Sequence, residues 1–237
     1  MHGLMHQLVE ARRSGSIDDT ILLLEHDPVI TLGRGTQPPH LLATSQELAA
    51  RGITVVSTGR GGDITLHAPG QLVAYPILDL SPDRRDVRRY VKDLAEVMRL
   101  CTLDFGVASG VFDKYVGLWT DSKNPSVWQE AKLAASPAKI GAIGVKISRW
   151  ITMHGFALNL STDLSWYRLI VPCGISEYPV ATISGLTGKK PESELVAPRA
   201  FEYFCQVFQA EDAGYEKSSE DSRARLLKLA ADAFASR

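Results

Sequence analysis

Cysteine is scarce in this chain, with three in 237 residues, Cys101, Cys173 and Cys205. An odd count at wide spacing argues against a disulfide framework, and the absence of any Cys-x-x-Cys pair removes the commonest zinc knuckle. A reducing compartment suits such thiols, so a cytoplasmic location is expected. Net charge is scarce too: at −1, no global field favours nucleic acid or an anionic membrane surface. Long apolar runs are missing. Ile21 to Leu24 is typical of those present and far too short to span a bilayer. His2 and His6 interrupt the first ten residues, which lack the basic-then-apolar pattern of a secretion signal.

Several catalytic and nucleotide-binding motifs are missing as well. Gly33-Arg34-Gly35 follows an apolar run but lacks the third glycine, and Thr36 to Pro39 cannot open a helix, so a dinucleotide fingerprint fails. Gly185 to Lys190 has a lysine after glycine without the spacing or the Ser/Thr of a phosphate loop. No Gly-x-Ser-x-Gly elbow occurs. No His-x-x-x-His pair is expected on a helix, so neither a structural nor a catalytic metal is expected.

What is present suits one globular unit: the apolar fraction of 45% and charged fraction of 22% are ordinary, and the length supports a sizeable core. Met5, Leu8, Val9 and Arg12 mark a short helix ending near Ser14-Gly15. Strands are expected at Ile21 to Leu24, Val29 to Leu32, Ile53 to Val56, Ile64 to Leu66 and Leu72 to Leu78, with a helix from Gln46 to Arg51 capped by Ser45. A longer helix is expected from a Ser81 cap with Pro82 in its first turn, burying a stripe of Val87, Val91, Leu94, Met98 and Cys101. Further strands are expected near Val111 to Trp119, Ser126 to Ala131, Lys139 to Ile147 and Ile151 to Leu160. Phe201, Phe204, Cys205 and Phe208 mark a last amphipathic helix. Both helical stripes assign their cysteines to packing. Mixed hairpins and helices predict α+β, a single domain with a mixed, largely antiparallel sheet flanked by helices. Residues 1–210 form that domain, and 211–237 read as a polar, weakly helical extension.

Cys173 is therefore the thiol without a packing role. It sits in Pro172-Cys173-Gly174, after the apolar Leu169 to Val171, where its sulfur and the following backbone N–H groups could face a substrate. From the residues alone it is either a nucleophile or an inert thiol, and Lys139 reads as a strand-end surface lysine. Three segments stand out: Arg60-Gly61-Gly62-Asp63-Ile64-Thr65-Leu66-His67, then Lys139-Ile140-Gly141-Ala142-Ile143-Gly144, then His154-Gly155-Phe156-Ala157-Leu158-Asn159 running on to Pro172-Cys173-Gly174. In this order they resemble the lipoyl(octanoyl) transferases, over about Leu22 to Gly185.

The resemblance implies the fold of biotin and lipoate protein ligases and an acyltransferase needing no cofactor and no metal. It implies transfer of octanoyl from octanoyl-acyl carrier protein to a lysine on lipoyl domains, those of 2-oxoacid dehydrogenase E2 subunits and the glycine cleavage H protein. Carried over residue by residue, it makes Cys173 the acyl-accepting nucleophile and Lys139 its acid/base. It makes Arg60 to His67, Ala142 to Gly144 and Gly155 to Ala157 the substrate-binding segments. Leu66, Ala68 and Gly141 depart from the family's usual residues and, as expected pocket-lining positions, bear on chain length.

The chemistry is coherent on its own terms. A thioester is already activated, which removes the need for a nucleotide. A lysine on an apolar strand is desolvated, which disfavours its ammonium form, so beside Cys173 it could take the thiol proton and later return it. Backbone N–H groups near Gly174 are the expected oxyanion donors. His67 and His154 are rival bases. Asp63 reads as a turn carboxylate, and Arg84, Arg85, Arg88 and Arg89 as a solvated helix face or a docking patch for an acidic carrier. Two other readings are an ATP-dependent ligase of lipoate or biotin and a non-catalytic acyl or lipoyl-domain binding module.

Overall fold

The structure is a computed structural model, and residues 1–129 and 133–217 are described. Side-chain alternation decides the architecture, because successive residues of a strand face opposite sides of its sheet. Every residue of β5 (Gln71–Ile77) and of β9 (Ile151–Asn159) is buried, so both faces of these strands are covered. Leu72, Ala74, Phe156 and Leu158 join one hydrophobic cluster, while Val73, Tyr75, Ile77, Ile151, Met153 and Ala157 join another. The first cluster is closed by α3 (Val87–Leu103) and α4 (Ser193–Phe208), the second by α1 (His2–Arg13) through Met5, Leu8 and Val9. Full burial of a side chain such as Leu94 or Met98 contributes about 1.5–3 kcal/mol.

These strands lie inside a six-stranded sheet completed by β1 (Thr20–Leu24), β6 (Gly110–Phe112), β7 (Tyr115–Asp121) and β8 (Pro137–Ser148). The order is β1-β5-β9-β8-β7-β6, with every neighbouring pair antiparallel. A second sheet has three strands, β2 (Val29–Leu32), β3 (Thr54–Ser57) and β4 (Ile64–His67). In it β2 lies centrally, parallel to β3 and antiparallel to β4. It has its own core, in which Ile30, Ile64 and Leu66 meet Leu48 of α2 (Ser45–Ala50) with Leu169 and Ile170. The expected α+β class with flanking helices is the one observed, but the single mixed sheet expected is two sheets, a wholly antiparallel one of six strands and a mixed one of three.

Several local expectations are corrected. The long helix begins five residues after the expected Pro82, because Asp86 caps it by accepting from the N–H groups of Arg88 and Arg89. Val87 is consequently exposed and Tyr90 takes its place in the core. Thr44, not Ser45, caps α2, its hydroxyl accepting from Glu47 N–H while the Glu47 carboxylate accepts from Thr44 N–H. This reciprocal pair is a capping box. The strand expected at Val111 to Trp119 is a hairpin of two strands. Ser126 to Gln129 form no strand; the chain turns there, Val127 N–H donating to Asn124 and Trp128 packing its indole against Gly110. Residues 130 and 131 of that expected strand lie outside the described residues.

α1 starts at His2 rather than at Met5, and this places His2 and His6 four residues apart on one helix face, with Nε2 atoms 3.2 Å apart. The expected absence of a His-x-x-x-His pair is thus corrected. Among the described residues, no group of three or more His, Cys, Asp or Glu is placed to hold a metal ion. No helix among them is long and apolar enough to cross a membrane. Residues 211–217 form no helix or strand, and the weak helix expected further on lies outside the described residues.

Candidate active site

Cys173 sits in a 3-10 turn, Pro172–Gly174, at φ +56°, followed by Gly174 at φ +68°. Two successive left-handed residues are unusual, and for a cysteine the conformation is unfavourable. The turn is held from outside. Val171 N–H donates to His40 C=O at 2.8 Å, Leu41 bridges Ile170, and a Cβ on Gly174 would stand 2.7 Å from Asp63 Oδ2. The N–H groups of Gly174 and Ile175 donate within the turn, to Val171 and Pro172. That corrects the expectation that they point at substrate as oxyanion donors.

Lys139 comes from the other sheet. It lies on β8, 6% exposed, and its Nζ donates to Cys173 Sγ at 3.0 Å. Its backbone is tied on both sides, N–H to Pro179 and C=O from Ala181 N–H. Its Nζ lies 5.7 Å from the centre of the Trp119 ring. At Gly117 a Cβ would stand 2.6 Å from Lys139 Cε, so the stem is packed against bare backbone. Thiol and amine, 34 positions apart, thus meet only where the two sheets face each other.

A cleft of about 760 Å³ opens at this junction, within the usual range for small-molecule sites. Ala142, Ile143 and Gly144 line it, as do Gly155, Phe156 and Ala157. The two groups are directly paired strand neighbours, Ala142 opposite Ala157, Ile143 opposite Phe156 and Gly144 opposite Gly155. Of the segment from Arg60 to His67, the residues Arg60, Gly62, Asp63, Thr65 and His67 line the cleft. Gly61 donates its N–H to Val145 and lies behind the lining, while Ile64 and Leu66 are fully buried in the small sheet's core. Leu66 and Ala68 belong to that core, and Gly141 faces Met98. None of the three departures from the family's usual residues therefore touches the cleft, contrary to expectation.

Arg60 is 6% exposed, and its guanidinium donates to Thr31 C=O at 2.7 Å, to Thr31 Oγ1 and to Gly61 C=O. Burial pulls its pKa down, while Cys173, Tyr75 and Asp63 pull it up. It makes no ion pair among the described residues. A buried, unpaired cation therefore faces the cleft. Neither rival histidine is placed as a base beside the sulfur. His67 shares a hydrogen bond with Gln71 Oε1 at 2.7 Å, and burial holds its pKa at about 3. His154, at φ +62° near His2, is also held at about 3 by burial, and its Nε2 has no hydrogen-bond partner.

Sequence reasoning passed over His26, Tyr75, Tyr167 and His40. Tyr75 could have been found by parity, since it shares the buried face of Val73 and Ile77; its hydroxyl meets His26 at 2.8 Å. Tyr167 bonds Asn159 and Gln71, a link no local pattern announces. Of the four arginines on or before α3, Arg84 is tied to the carbonyl and ring of Phe208, and Arg85 to Ser81. None of the four lines the cleft.

The sequence profile of the lipoyl protein ligase A/B catalytic domain matches residues 2–205. The chain belongs to that family. An octanoyltransferase of Myxococcus xanthus is 44% identical over 208 residues, covering 88% of this chain, although this chain spans only 56% of that protein's length. An octanoyltransferase of Chloroflexus aggregans is 44% identical over 206 residues, which are 86% of this chain and 87% of that one. Among solved structures, lipoate-protein ligase A bound with ATP superposes with TM-score 0.65 at 13% identity, covering 97% of this chain and 90% of that one. At that identity the likeness speaks for the fold. It shows that the two-sheet arrangement around the cleft is the lipoyl protein ligase architecture.

Proposed function

We propose that this family member is an octanoyl-acyl carrier protein:protein N-octanoyltransferase, acting through an acyl thioester on Cys173 with Lys139 as acid and base. The observation that carries the reading is the 3.0 Å contact of Lys139 Nζ with Cys173 Sγ at the head of an acyl-sized cleft. The octanoyltransferase relatives support the acyl group and the place in protein lipoylation.

In the first half-reaction the Cys173 proton passes to Lys139 Nζ, and Sγ attacks the carbonyl carbon of the donor thioester. The tetrahedral intermediate expels the carrier's sulfur, which takes the proton back from Lys139, leaving octanoyl on Sγ. The Arg60 guanidinium, buried in the cleft lining with its donors held by Thr31 and Gly61, supplies a fixed positive charge toward the developing oxyanion. Gly144 and Gly155 line the cleft, and each is glycine for close packing: a Cβ at Gly155 would stand 2.3 Å from Ala74 C=O, and one at Gly144 would stand 3.1 Å from Gly61 C=O. In the second half-reaction a lysine amine of a lipoyl domain attacks, and Sγ leaves and regains its proton through Lys139.

Intact mass spectrometry after incubation with octanoyl-acyl carrier protein tests this. One octanoyl adduct is expected on the chain and none on Cys173→Ala. An adduct or full turnover in Cys173→Ala would refute it. Adenylate formation from free octanoate and ATP would instead make the chain a ligase.

A further inference from the structure

The second half-reaction has a proton to dispose of that the Lys139–Cys173 pair cannot absorb. A lysine side chain arrives as an ammonium. On forming an amide from a thioester it loses two protons, one ending on the departing Sγ and one in solvent. Lys139 supplies the path for the first. It is 6% exposed and already committed to the sulfur, so the other proton needs another carrier that reaches water.

We propose that Asp63 receives the acceptor's ammonium and that His40 takes the first proton from it. The proposal rests on the reading of Cys173 as the acyl carrier. Asp63 lines the cleft with Cys173. Its Oδ1 accepts from Ile64 N–H at 2.7 Å and its Oδ2 is hydrogen-bonded to His40 Nδ1. Both groups stand against the residue that follows the nucleophile: a Cβ on Gly174 would lie 2.7 Å from Asp63 Oδ2 and 2.9 Å from His40 Cε1. Arg60, a buried cation on the same segment, spends its donors on Thr31 and Gly61 rather than on this carboxylate. The carboxylate is thus a negative charge within one residue of the thioester, with a histidine as its side-chain partner.

A carboxylate on Nδ1 fixes the ring and leaves Nε2 as the nitrogen open to a proton. His40 Nε2 makes no hydrogen bond among the described residues, and the His40 side chain is 26% exposed against 13% for Asp63. In the step, the ammonium N–H bond breaks and its proton passes through solvent to His40 Nε2, the ring nitrogen turned away from Asp63. The neutral amine attacks the carbonyl carbon, the C–Sγ bond breaks, and the second amine proton returns to Sγ through Lys139. His40 then releases its proton to water.

The test compares two acceptors on the pre-acylated enzyme. Wild type, His40→Gln and Asp63→Asn are loaded with octanoyl-pantetheine, and adduct loss is followed by intact mass at pH 7.5. One acceptor is an unmodified lipoyl domain; the other is hydroxylamine, already neutral at that pH. In each variant, transfer to the lipoyl domain is expected to fall about 100-fold relative to transfer to hydroxylamine. Equal slowing with both acceptors would make the pair a clamp on the Cys173 turn and overturn the proposal, as would no slowing in either variant. If wild type never forms an adduct, the reading of Cys173 fails as well, an outcome distinct from the other two. Asp63→Asn preserves side-chain shape, so the comparison stands even if His40→Gln folds poorly.

Discussion

Replacing Lys139 by methionine should separate activity from stability in opposite directions. The amine is 6% exposed, its only side-chain hydrogen bond is to a sulfur, and no carboxylate pairs with it among the described residues. Keeping such a group polar in a buried site costs free energy that a thioether of similar length does not incur. Methionine follows the same path past Gly117 and under Trp119. Relief of about 1–2 kcal/mol is expected, and at about 2–4 °C per kcal/mol for a chain of this size the melting temperature should rise by roughly 2–8 °C. Loss of a positioned acid and base lowers rates about 10²- to 10⁴-fold, or about 3–5 kcal/mol of barrier. The assay is a thermal melt beside stopped-flow or quenched acylation of Cys173 by octanoyl-pantetheine. A variant that acylates within threefold of wild type would refute the assignment of Lys139. A melting temperature lowered by more than about 4 °C would refute the argument from burial.

Acid should destabilise the fold through His67 and His154. Both are held neutral with pKa about 3 by burial, against about 6.5 in the unfolded chain. Between those values the unfolded state binds more protons, so stability is complete above about pH 6.5 and falls as pH drops, by roughly 2 kcal/mol per histidine at pH 5. Urea titrations at pH 7.5 and pH 5 should show this, and His67→Gln should halve the difference; an unchanged midpoint would contradict it. Gly174→Ala should lose about 1–3 kcal/mol and most acylation, since its Cβ meets Asp63 Oδ2 at 2.7 Å and φ is +68°; a normal acylation rate would show that the turn tolerates another shape. Iodoacetamide at pH 8 should label Cys173 before Cys101, which is fully buried with its thiol pushed up to about 12. Early labelling of Cys101, mapped by peptide mass, would mean that α3 opens readily.

Strands were legible wherever one physical signal acted alone. β5, β8 and β9 are long apolar runs, and their ends fall within two residues of expectation. Helix starts were harder, because Ser81-Pro82 and Asp86 both carry N-terminal chemistry and only the side-chain hydrogen bonds from Arg88 and Arg89 N–H choose between them. The pairing of Lys139 with Cys173 came from resemblance; no periodicity places those two residues together, since the contact depends on how two sheets face each other. Parity could have separated Asp63, Thr65 and His67 from Ile64 and Leu66, as period-two alternation puts the first set on the cleft and the second in the core. His40 carried no local signal, because its importance comes from Asp63, 23 positions away.

The two halves of the pair belong to separately cored bodies: Lys139 to the six-stranded sheet with its two helical faces, Cys173 to a turn that follows Leu169 and Ile170 of the small sheet's core. The smaller body has less apolar surface to hold it, so it is the part expected to open first in local fluctuations. A ligand spanning the cleft touches both and acts as a staple between them. Amide exchange in β2, β3 and β4 should therefore slow on acylation of Cys173 far more than in β5 or β9, and inactivation in rising denaturant should precede loss of the large sheet. The contact between Lys139 and Cys173 is only as durable as the weaker of the two cores.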